Sequence, residues 1–184
     1  MSSLFPRHQI DSAPEKSRDL LKEVEADFGM IPNLEQTLAS APPALEAYVR
    51  LWALFDETTF SPIERQVVYQ TANYLNNCTY CVPWHTLLSK QAGMSPEDVE
   101  ALRNNTALSD SKLETLRSFT RSLIEHRGHP PKESLGQFLA AGYTSAQAME
   151  VVLGLAVKLI SNYTNGIAET PLDKEVESLA WKNP

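Results

Sequence analysis

Proline and glycine cut this sequence into apolar segments of helical period, and that punctuation constrains the fold more than any other feature. Pro14 opens a stretch in which Leu20, Leu21, Val24 and Phe28 recur at helical spacing, and Gly29 ends it. The next piece, GMIPNLEQTLAS, turns through Pro32, with Asn33 the expected N-cap of a short helix. Pro42 and Pro43 precede ALEAYVRLWALF, apolar over much of its circumference and expected to be buried. Ser61-Pro62 starts IERQVVYQTANYL with proline at the first helical position. HTLLSKQAG stops at Gly93, Ser95 and Pro96 restart the pattern, and Ser111 to Glu114 has the form of a capping box for a helix reaching Arg127. Helical patterns resume in ESLGQFLAAG and SAQAMEVVLGLAVKLISNYTNG. No period-2 strand is found, since the β-branched runs are two residues long and lie inside helix-period segments. The expected fold is all-α: one helical domain over residues 13–184, its cysteine-bearing core at about 42–104. Residues 1–12 form an N-terminal arm expected to be mobile or to pack on a partner.

Composition narrows the function classes. A chain of 184 residues builds one sizeable core. Its net charge is −7, and it has no Lys/Arg-rich run to track phosphates, so nucleic acid is not an expected partner. The N-terminus lacks the apolar run of a signal peptide, and no apolar stretch is expected to reach membrane-spanning length. The expected location is the cytoplasm, with no membrane partner. In that reducing compartment a close cysteine pair is more often redox-active or metal-binding than a structural staple.

The only two cysteines lie in NNCTYCVPWH, residues 76–85. Proline inside a helix loses a hydrogen bond and clashes with the carbonyl four residues back. A helix starting near Tyr80 or Cys81 avoids that strain by placing Pro83 in its first turn. Cys81 then sits at a helix N-terminus, where unpaired amides and the positive end of the dipole favour the thiolate. His85, four residues on, shares the face of Cys81, positioned to orient a water, shuttle a proton or, as imidazolium, favour the thiolate further. Cys78 is near enough to close a disulfide on an oxidised Cys81. These parts describe a dithiol redox centre with no cofactor.

The same residues allow other readings. Two small apolar thiols can simply be buried neighbours. Cys78, Cys81 and His85 are three candidate zinc ligands, but a structural site takes four, and no metal is expected. His126 and His129, the only other cluster, read as a solvated helix end. Covalent haem attachment puts the histidine directly after the second cysteine, which is not the case here.

An internal echo adds to the picture. Laying Gln66-Val67-Val68 over Glu150-Val151-Val152 also brings Ala72 onto Ala156 and Leu75 onto Leu159. Under that offset Cys78, Cys81 and His85 fall on Asn162, Asn165 and Glu169, as two related helical units with chemistry in one of them would give.

The run SPIERQVVYQTANYLNNCTYCVPWHTLLSKQAGMSPEDVEAL resembles the core of the AhpD-like, carboxymuconolactone decarboxylase superfamily, and GMIPN and NYTNGIAETPLD are similar to its peroxidase-related branch. The resemblance implies an all-α, AhpD-like fold of two related helical units, assembled as a homo-oligomer (dimer, trimer or hexamer). It implies reduction of hydroperoxides, with electrons from a dithiol or a lipoylated protein. The second cysteine would be the one oxidised and the first the one that resolves, roles that fall on Cys81 and Cys78, with His85 as the relay histidine. Two departures stand out. Family peroxidases carry a Glu twelve residues before the first cysteine, where this chain has Gln66, and a His between the cysteines, where it has Tyr80. Glu64 is rotated about 200° around the helix from Gln66 and is expected to face elsewhere. A glutamine orients a water but takes no proton near neutral pH, so weak turnover and a gain from Gln66→Glu are the expectation.

The leading expectation is a thiol peroxidase or disulfide reductase of antioxidant type. A decarboxylase acting on a small acidic lactone and a non-enzymatic redox sensor are the alternatives. Cysteine-independent lactone turnover would favour the first, and absence of turnover with a dithiol reductant the second.

Overall fold

The structure is a computed structural model describing residues 4–183. Among these, nine α-helices and two short 3₁₀ turns occur, and no strand. In chain order the helices are α1 (Glu15–Phe28), α2 (Asn33–Leu38), α3 (Pro42–Asp56), α4 (Pro62–Leu75), α5 (Cys81–Gln91), α6 (Pro96–Asn104), α7 (Ser111–Glu125), α8 (Lys132–Ala140) and α9 (Ser145–Ala168). The boundaries follow local chemistry. Ser61 and Glu64 close a reciprocal capping box at the start of α4, so Glu64 is spent on a helix end rather than on the site. Thr144 and Gln147 do the same for α9.

Two expected caps shift by one residue. Asn33 is the first residue of α2, following Pro32, and its side chain instead accepts from Arg7 (2.7 Å) and donates to the Pro171 carbonyl (3.1 Å). At α7 the cap is Asp110, whose carboxylate accepts from the Lys112 and Leu113 amides. Glu114 is left to bind Arg117 and the Leu108 amide. The arm, so far as it is described, packs on its own chain: the His8 amide donates to the Gln36 carbonyl, and Ile10–Ser12 form a 3₁₀ turn.

Helix α4 is the axis of the fold, packed against α5, α7 and α9, with Val67 through Asn73 all buried. Its seven-residue buried run is half polar, because Gln70, Thr71 and Asn73 meet hydrogen-bond partners on α5 and α9 or within α4. Helix α3 is buried, as expected, through Leu45, Tyr48 and Phe55, but along one face, since Leu54 is half exposed. Where α9 crosses α3 and α4 it carries Gly154. A Cβ there would lie 2.7 Å from the Phe55 ring and 2.9 Å from Val68, so the glycine is what lets the three helices approach.

The expectation about apolar length does not hold for α9. Its 24 residues, with mean hydropathy 1.2 over the most apolar window, are long and apolar enough to cross a membrane. Here it packs along α3 and α4.

Candidate active site

The turn before Cys78 is built by the end of α4. Asn77 takes a left-handed conformation (φ 51°), the Cys78 amide donates to the Asn73 carbonyl, and the Asn77 amide donates to that of Tyr74. This double bond pattern ends a helix and turns the chain sharply, and asparagine is one of the few residues that tolerates the required φ. Helix α5 then starts at Cys81 with Pro83 inside its first turn, where no helical carbonyl is left without its donor. Cys78 and Cys81 are joined as a disulfide, their Cα atoms 5.3 Å apart.

Both sulfurs are buried, at 5% and 2% residue exposure, and α9 supplies their surroundings. The side-chain amide of Asn162 donates to the Cys81 sulfur at 3.0 Å, and that of Asn165 at 3.3 Å. Asn162 is fixed in turn: it also donates to Asn73 (2.9 Å) and accepts from Asn76 (2.9 Å). The Asn165 carbonyl oxygen, also buried, has no donor. These two asparagines are the residues that the internal offset lays over the cysteines. The signal for them was present in the sequence, but as an echo of the site rather than as part of it.

His85 lies one turn beyond Cys81, and its ring nitrogens are engaged by other partners. Gln66 sits 2.8 Å from Nδ1 and the ammonium-bearing Lys158 3.0 Å from Nε2. A lysine donates, so Nε2 carries the lone pair and Nδ1–H donates to the Gln66 carbonyl oxygen. Burial, and then the Lys158 charge, hold His85 well below the usual histidine range. The neutral imidazole replaces the imidazolium that was one of its expected roles. The ring is wedged among Tyr69 (4.9 Å, edge-on) and Trp52 (5.7 Å).

Lys158 and Glu35 were not found from sequence. Lys158 is 1% exposed in the middle of α9, its nitrogen also 5.3 Å from the Tyr69 ring centre. Burial pulls it down to about 7, an effect that Glu35 opposes. Glu35, on α2 and 5% exposed, is pushed up to about 8, first by burial and then by Asp173, with Lys158 opposing. One of its carboxyl oxygens has no hydrogen-bond partner. Glu35, Tyr48, Trp52, Cys81, His85 and Lys158 line one cavity of about 30 Å³, room for about one or two waters.

Tyr80 borders the same cavity, with its hydroxyl engaged by other partners. Its hydroxyl donates to Asp173 (2.5 Å) and accepts from the Leu34 amide (3.2 Å). Asp173 also accepts from Trp84 and the Asn33 amide, so Tyr80 pins the C-terminal segment and α2 to the thiol turn.

The chain can be set beside known proteins on this geometry. Residues 42–117 match the carboxymuconolactone decarboxylase family. No curated protein matches the sequence. In fold the chain is similar to an uncharacterised peroxidase-related protein with an alkylhydroperoxidase AhpD core from Ralstonia eutropha JMP134 (TM-score 0.83, 19% identity, 95% of this chain and 94% of that one). It is also similar to an uncharacterised peroxidase-related protein from Silicibacter sp. TM1040 (0.80, 16%, 96% of each). A third similar structure is a cysteine-to-alanine variant of the debrominase Bmp8 in complex with 2,3,4-tribromopyrrole (0.80, 16%, 97% and 96%). Likeness at such identities carries the fold and leaves the substrate open. The segment from α3 to the middle of α7, which holds both thiols and His85, thus matches the carboxymuconolactone decarboxylase family, and the chain carries the AhpD-like helical fold.

Proposed function

We propose that this protein is a cytoplasmic thiol peroxidase of antioxidant type, reducing hydroperoxides through a Cys78/Cys81 dithiol–disulfide cycle with electrons from a dithiol or a lipoylated protein. The observation that carries the reading is the setting of the Cys81 sulfur. It lies at the start of α5, accepts two asparagine amides and borders a cavity that also holds His85 and Lys158. Amide donors and a helix N-terminus stabilise a thiolate, which is the attacking species in peroxide reduction. Cys78, already within bridging distance, resolves the sulfenic acid. The cavity is small and bordered by Cys81, His85 and Lys158, which suits a peroxide head beside the sulfur.

A stripe of exposed apolar side chains on α9, Met149, Val152, Leu159, Tyr163 and Ile167, supports self-association into a homo-oligomer. Neither nucleic acid nor membrane is part of the proposal.

The test uses Cys78→Ser and Cys81→Ser under one equivalent of hydroperoxide. Cys78→Ser should accumulate a sulfenic acid on Cys81, seen with a sulfenate-selective probe and by mass. A sulfenate on Cys78 in the Cys81→Ser variant would reverse the roles. Wild type that shows no turnover with any dithiol reductant would remove the enzymatic reading.

A further inference from the structure

The peroxidase reading leaves one chemical need unmet. Cys81 attack on R–O–OH forms an S–O bond as the O–O bond breaks, and the sulfur supplies the electron pair. The departing RO⁻ needs a proton, and Gln66 has none to give near neutral pH. Two buried ionisable groups that this role does not yet use face the same cavity: Lys158 from α9 and Glu35 from α2. Among the described residues, Lys158, with three donors, has His85 Nε2 as its one hydrogen-bond partner, and Glu35 keeps an unpartnered oxygen.

We propose that Lys158 is the proton donor to the leaving oxygen, with the Glu35 carboxylate across the cavity holding that proton on the lysine. The inference rests on the peroxidase reading above. Lys158 gives its proton as the O–O bond breaks, leaving ROH and the Cys81 sulfenic acid. The Cys78 thiol then displaces hydroxide from that sulfur, forming the disulfide and water. A dithiol returns two electrons and two protons to the cysteines. Solvent reloads Lys158.

His85 and Gln66 gain a different task in this scheme. They are positioning residues. By accepting Nδ1–H, Gln66 holds the Nε2 lone pair toward Lys158, and that lone pair fixes the ammonium at the cavity wall. A carboxylate at 66 would favour an imidazolium, which would present a donor and a positive charge to Lys158 instead of an acceptor. The departure from the family pattern is then a matched change: glutamine at 66 goes with lysine at 158. The expected sign for Gln66→Glu is inverted, from a gain in turnover to a loss.

The groups facing Lys158 set its titration: Glu35 from α2, Tyr48 from α3, Tyr69 from α4, Tyr80 just before α5, and Cys81 and His85 from α5. Of these, Glu35 is the one named as holding the lysine up. Activity should therefore fall on the alkaline side as Lys158 loses its proton, and Glu35→Gln should move that fall to lower pH.

The experiment compares an alkyl hydroperoxide with peracetic acid, whose leaving acetate needs no proton. Lys158→Met should lose on the order of 10²-fold in kcat/KM on the alkyl hydroperoxide, the usual scale for general-acid assistance. On peracetic acid it should lose at least tenfold less. Equal losses on both substrates overturn the proposal. If Lys158→Met does not fold, Glu35→Gln decides: an unmoved alkaline limb on the alkyl hydroperoxide overturns it, and a limb displaced to lower pH supports it. Wild-type inactivity on both peroxides would instead remove the peroxidase reading, and this inference with it.

Discussion

Asn162 offers the sharpest test of how the Cys81 thiolate is stabilised. Its amide lies 3.0 Å from the sulfur and is locked by Asn73 and Asn76, so little reorganisation is needed when charge develops. A hydrogen bond to a charged group contributes about 1.5–3 kcal/mol. At 1.36 kcal/mol per pKa unit, removing it should raise the Cys81 thiol by roughly one to two units. Asn165, at 3.3 Å, remains as the second donor and keeps the rise from being larger. Asn162→Asp replaces the donor with a carboxyl group and, wherever that group is ionised, raises the thiol further than Asn162→Ala does. The assay is the pH dependence of iodoacetamide alkylation in a Cys78→Ser background, where Cys81 is the only thiol. The ranking should be Asp above Ala above Asn. A folded Asn162→Ala with an unmoved alkylation midpoint would refute the view that α9 amides hold the thiolate.

Two further outcomes can be checked by thermal unfolding. Gly154→Ala places a methyl within 2.9 Å of Phe55 and Val68, and the overpacking of about 1–3 kcal/mol should exceed the ~1 kcal/mol that alanine gains in helix propensity. A lower Tm is expected, and a higher one would mean that α9 shifts freely against α3 and α4. Tyr80→Phe removes the hydroxyl between Leu34 and Asp173 and should cost about 1–3 kcal/mol of stability. Its alkylation midpoint for Cys81 should stay at the wild-type value, and a change there would show that Tyr80 tunes the sulfur.

The start of α5 was legible because proline, cysteine and histidine types constrain one another over a few residues. Pro83 fixes the helix start, the start fixes Cys81 in the first turn, and the turn fixes His85 on its face. The Gln66–His85 contact was legible only as a family position, and the structure turns it into a bond. Lys158 gave no local signal. A single lysine in LGLAVKLISN reads as a long side chain reaching water from an apolar helix, and its polar neighbours in space, Glu35 and His85, come from α2 and α5. The shifted caps at Asn33 and Ser111 have a simpler cause. Adjacent residues, Pro32 and Asp110, suit the cap geometry as well, and a distant partner for Asn33 decided between them.

The amides that α9 aims at Cys81 bear on the reduction potential of the couple. A thiolate accepts the Asn162 and Asn165 donors more strongly than a neutral disulfide sulfur does. They therefore favour the reduced form, and a stabilised reduced form raises the potential. For a two-electron couple about 1.4 kcal/mol corresponds to about 30 mV. The oxidised centre accepts electrons from milder dithiols than the same pair would beside an apolar residue.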